Sequence, residues 1–70
     1  MSGNETTFAR HTRDAVGFLL DAYAVNGDAR NTLGDHAERQ AGLALDAAMT
    51  DEEMKLAETL QELIWEMEAR

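Results

Sequence analysis

Seventy residues make one small domain, and the chain contains neither cysteine nor proline. Disulfide staples and thiolate metal sites are therefore excluded. Fourteen carboxylates against six Lys and Arg leave a net charge of −8, which sets the chain against nucleic acid and anionic membrane as direct ligands, since both carry the same sign.

The large aliphatic and aromatic residues are few. Leu, Ile, Val and Phe number thirteen, while Ala contributes twelve. A core built from so little bulk is marginal for one chain, so a homo-oligomer or a partner-stabilised fold is expected. The longest apolar run, Val16 to Leu20, is far too short to span a membrane. No basic start leads into an apolar core at the N-terminus, so a cytoplasmic protein is expected.

The pattern reads as an all-α chain of three helices. Met1 to Glu5 is polar and expected to fray, with Asn4, Thr6 or Thr7 as N-cap candidates. The first helix is predicted to run to about Val25. Phe8, Thr12, Ala15, Val16, Leu19, Ala22 and Tyr23 recur on one face at the helical period, and Phe18, Val25 and Leu20 widen it. One neighbouring helix cannot cover so wide a stripe. The helix is expected either to be central in the fold or to be buried in a dimer, with Phe8, Phe18 and Val25 as the oligomer contact.

Asn26-Gly27-Asp28 is a stop signal, because Asn and Gly tolerate the left-handed turn after a helix. A second helix is predicted to start between Asp28 and Thr32, where Thr32-Leu33-Gly34-Asp35 loosely matches a capping box. Its inner face, Leu33, Ala37, Ala41, Ala44, Leu45 and Ala48, is mostly alanine and lets a neighbour come close. Gly42 within it marks a second expected close approach. A mixed flank of His36, Gln40, Leu43 and Ala47 suits a partly buried oligomer contact.

The third start is the best specified. Thr50-Asp51-Glu52-Glu53 is a full capping box, with Met49 and Met54 at the staple positions around it. Leu56, Ala57, Leu60, Leu63, Ile64 and Met67 form a stripe from there on. The short connection predicts that the second and third helices fold back as an antiparallel hairpin.

Catalysis finds little support. His11 and His36 sit in different helices, and no Glu-x-x-His, HExxH, phosphate loop or Ca²⁺ loop is present. The reading is a non-enzyme with no cofactor and no metal.

The acidic last helix is the stronger signal. From Asp46 onward, eight carboxylates stand against two cations. Asp51, Glu58, Glu62 and Glu66 project onto one face opposite the Leu/Ile stripe, with Lys55 the only cation among them. Glu58, Glu62 and Glu66 are successive like-charge i,i+4 neighbours, and Glu66 and Glu68 stand at the negative end of the helix dipole. A helix arranged for stability would carry Lys there. Trp65, beside Gln61 and Glu62, is placed as an interface anchor of large apolar area and few rotamers. Asp51, Glu58, Gln61, Glu62, Trp65 and Glu66 are thus the candidate surface for a basic protein partner, nucleic-acid-binding proteins being one class of such partner. A solvated face is the competing explanation of the acids. The short, acidic, helical, cysteine-free profile resembles phage- and plasmid-encoded regulators such as anti-CRISPR and other host-directed inhibitors. That likeness of class implies an inhibitor or nucleic-acid mimic. The remaining alternative is a structural homo-oligomeric bundle.

Overall fold

The structure, a computed structural model, describes residues 5–69, and these form three α-helices: α1 Thr7–Tyr23, α2 Asp28–Ala47 and α3 Asp51–Glu68. Asn4 and the expected fraying of the first four residues lie outside the described residues. No described helix is long and apolar enough to cross a membrane.

Each helix boundary has a local cause. Thr6 caps α1, its hydroxyl accepting the Ala9 N–H at 3.0 Å. The helix stops two residues short of Val25, where Arg30 reaches back from α2. Arg30 Nε donates to the carbonyls of Ala22 at 3.2 Å and Val25 at 3.1 Å, and Nη2 donates to Asn26 Oδ1 at 3.3 Å. A cation at this end satisfies orphan carbonyls and opposes the negative pole of the helix. Gly27 turns the chain with φ 69 and caps α2 without a side-chain bond. Because this turn is tight, α2 begins at Asp28, and Thr32 lies inside the helix instead of capping it.

Thr50 caps α3 as the sequence predicts, accepting the Glu53 N–H at 3.1 Å. The reciprocal bond is shifted by one residue, since Glu53 Oε1 accepts the N–H of Met49, not that of Thr50, at 2.8 Å. Met49 is 90 % exposed, so the expected apolar staple with Met54 does not form.

The alanine face of α2 decides the packing. Ala37, Ala41 and Ala44 are fully buried, and with no bulk beyond Cβ they let a helix close on either side. The second helix is therefore the centre of the fold, and the first is not. α1 and α2 form the most extensive contact, α2 and α3 a smaller one, and α1 and α3 the least. The hairpin of α2 and α3 is present, but α1 is the closer neighbour of α2. His11 Nδ1 lies 2.6 Å from Gln40 Oε1, and the rings of Phe18 and His36 lie 5.2 Å apart. Two residues of the flank expected at an oligomer contact, His36 and Gln40, thus meet α1 within the chain, while Leu43 stays exposed.

The main core joins Ala15, Leu19, Ala22, Ala37, Ala41, Leu60, Ile64 and Met67, with Phe18 and Leu33 at its margin. A smaller cluster near the α2–α3 turn holds Phe8, Ala44 and Ala57. Phe8 is 8 % exposed and Phe18 packs on the core, so both of these expected oligomer contacts are spent inside the chain. Val25 is half-buried in the turn after α1. The whole measures 36 × 27 × 13 Å, so the helices fan into a flattened layer and not a round bundle.

The close approach expected at Gly42 is found at Gly34 instead. A Cβ on Gly34 would lie 2.9 Å from Glu68 Oε2 and 3.2 Å from Met67 Cε, whereas one on Gly42 meets nothing within 4 Å. Gly42→Ala is therefore expected to raise stability by about 0.5–1 kcal/mol through helix propensity alone. Thermal melts followed by circular dichroism should show the midpoint rising by several degrees.

Candidate protein-binding face

α3 turns its apolar side inward through Ala57, Leu60, Ile64 and Met67. By the helical period this directs the carboxylates outward, and Asp51, Glu58, Glu62 and Glu66 are all exposed. None of the four forms an ion pair among the described residues, where the ion pairs join Arg13 to Glu5 at 2.9 Å and to Asp14 at 3.9 Å. The last turn of α3 contains no basic residue. Gln61 is half-buried beside them.

Trp65 stands at the seam between α2 and α3, 51 % exposed. Its Nε1–H donates to Glu38 Oε2 at 2.7 Å. The polar atom of the indole is thereby satisfied within the chain, and the ring presents apolar area whose orientation is already set. Glu38 was not singled out in the sequence. It belongs to α2, and only the antiparallel pairing of the two helices brings it to Trp65.

The same pairing gathers a second group of acids. Asp35 and Glu38 of α2 and Glu68 of α3 bring carboxylate oxygens within 4.8 Å of one another. Hard divalent cations take oxygen ligands of this kind, but Asp35 and Glu68 stand on the surface, and no sheltered wall fixes their geometry. The trio is a patch of like charge. Burial, followed by the neighbouring charges of Glu38 and Asp35, pushes the Glu68 carboxyl above its ordinary value of 4.5.

This shift has a defined sign in stability. The folded chain holds the Glu68 proton more tightly than the unfolded chain, so ionisation opposes folding. The penalty is absent below 4.5 and complete once pH has risen through the raised value. Glu68→Gln is expected to melt above the wild type at neutral pH and to lose that advantage in acid below the ordinary carboxylate value. Melts at the two pH values check this, and an advantage that persists in acid would assign it to another cause.

His11 is half-buried against Gln40, and His36, exposed, sets its ring beside that of Phe18. An open depression of about 410 Å³ lies between α1 and α2, lined by Arg13, Asp14, Gly17, Phe18, Asp21 and Gln40. No family model, curated protein or solved structure matches the chain. The reading of the face rests on its own residues.

Proposed function

We propose that the protein is a non-enzymatic interaction module that binds a basic protein surface through α3. One observation carries this reading: three carboxylates in successive turns, Glu58, Glu62 and Glu66, are exposed and form no ion pair among the described residues, beside a half-exposed Trp65. The carboxylates attract a basic partner at long range and raise the rate of encounter. Trp65, already hydrogen-bonded to Glu38, then loses little freedom when its ring is covered. Asp51 and Gln61 extend the contact along the helix.

A partner that itself binds nucleic acid would be blocked by occupation of its basic groove. In that form the module acts as a host-directed inhibitor or nucleic-acid mimic. The reading places it in the cytoplasm, consistent with the absence of cysteine. A second reading, a structural homo-oligomer, is favoured by apolar side chains left open on α1 and α3.

Affinity capture from the source cells tests the proposal, using wild type, Trp65→Ala and the triple variant Glu58→Gln, Glu62→Gln, Glu66→Gln. A basic protein should be retained by the wild type and lost from both variants. With that protein in hand, the triple variant should associate at least about tenfold more slowly at low salt, with a flatter salt dependence. Association kinetics equal to wild type would overturn the role given to α3.

A further inference from the structure

Two apolar strips reach the surface beside the seam where α1 and α3 make the smallest of the helix contacts. On α1, Val16, Leu20 and Tyr23 are exposed, Leu20 to 64 %. On α3, Leu56 and Leu63 are exposed one heptad apart.

Helical period places both strips on one side of the molecule. α1 meets α2 through His11, Phe18 and the Ala22 carbonyl. At about 100° per residue, Leu19 turns toward the core, and Val16, Leu20 and Tyr23 lie beyond it, away from α2. α3 meets α2 through Trp65, and its Glu68 lies over Gly34. Leu60 and Met67 turn toward the core, and Leu56 and Leu63 lie beyond them, again away from α2. With α2 as a common ruler, the His11–Gln40 and Trp65–Glu38 bonds set Leu63 near the level of Thr12 and Val16 near that of Met67. The strips join as one oblique band running from Leu56 to Tyr23.

We propose that this band is covered by a second copy of the chain in a two-fold symmetric dimer. Area is the first argument. At their observed exposures the five side chains leave on the order of 400 Å² of apolar surface open. A standard interface takes about 800 Å² from each partner, a little over half of it apolar. The band supplies most of that apolar share.

The choice of occupant follows from area and symmetry. The layer is 13 Å across its thin axis, α1 and α3 make its smallest helix contact, and a two-fold contact sets the same band of each copy against the other. Glu58 and Glu62 project away from Leu56 and Leu63 by the helical period, so closing the dimer leaves these two in water, while Glu66, one turn from Leu63, borders the band. Among the described residues of one chain, Ile64 and Met67 are the only large side chains fully buried. A second layer adds Leu20 and Leu56 to an apolar interior that one copy cannot close. This contact rests on the homo-oligomer reading above and stands or falls separately from the acidic face.

Sedimentation velocity across a series from low micromolar to submillimolar protein tests the dimer. Wild type should sediment as a dimer that dissociates on dilution. The double variant Leu20→Ser, Leu56→Ser, both positions being exposed, should keep its helix content and weaken the dissociation constant at least about a hundredfold. Leu43→Ser, at an exposed position of α2 outside the band, should behave as wild type. If the double variant loses helicity, Leu20→Ala takes its place, with an expected weakening of at least about tenfold. A wild type that stays monomeric to submillimolar concentration overturns the proposal and gives the band to a different occupant. A folded band variant that dimerises as tightly as wild type overturns it equally.

Discussion

Replacing Ile64 by Ala is expected to abolish the cooperative melt of the protein at ordinary temperatures. Ile64 is fully buried and sits in the main core with Leu19, Leu60, Met67 and the alanines of α1 and α2. Removing its outer carbons forfeits their transfer free energy and leaves a cavity that a helical frame fills only in part. Substitutions of this kind cost about 2–5 kcal/mol. A domain of this size rarely holds more than about 3–5 kcal/mol in total, so one such loss is of the order of the whole. Far-ultraviolet circular dichroism against temperature is the measurement. Leu43→Ala, at a position 40 % exposed, is the comparison and should keep its transition. An Ile64→Ala chain that melts where the wild type melts would show that α3 does not pack as described.

Ala41→Leu should be nearly as damaging, for the opposite reason. Ala41 is fully buried on the face of α2 that serves the main core. Leucine is almost as good a helix former as alanine, so α2 itself loses little. The added carbons must instead push α1 or α3 away from α2, and overpacking of this kind costs about 1–3 kcal/mol or more. Ala29→Leu makes the same chemical change at an exposed position of the same helix and should be close to neutral. Comparing the two melts separates packing from propensity. Equal midpoints would mean that α2 is not the centre of the layer.

Both results depend on the arrangement of the helices, and much of their local structure is legible in the residues. Thr50 and Glu53 mark the start of α3 because a cap is made by side chains three residues apart, with no tertiary help. The row of Glu58, Glu62 and Glu66 is local for the same reason: one helix with a buried stripe must present its opposite face to water. Where the local signals were weak, as at Thr32, the Arg30 anchor and the Gly27 turn overrode them.

The sequence by itself determined that the chain is helical, where the third helix starts, and which of its sides carries the acids, since each follows from spacings of three or four residues. Only the tertiary structure decided that α2 is central, that Gly34 and not Gly42 is the close approach, that Glu38 holds Trp65, and that Phe8 and Phe18 are spent inward while Leu20 and Leu56 remain outside. A helical period tells which side of a helix is apolar. It says nothing of which neighbour covers that side or at what register, and a face of alanines accepts several neighbours almost equally well until the larger side chains around it choose one.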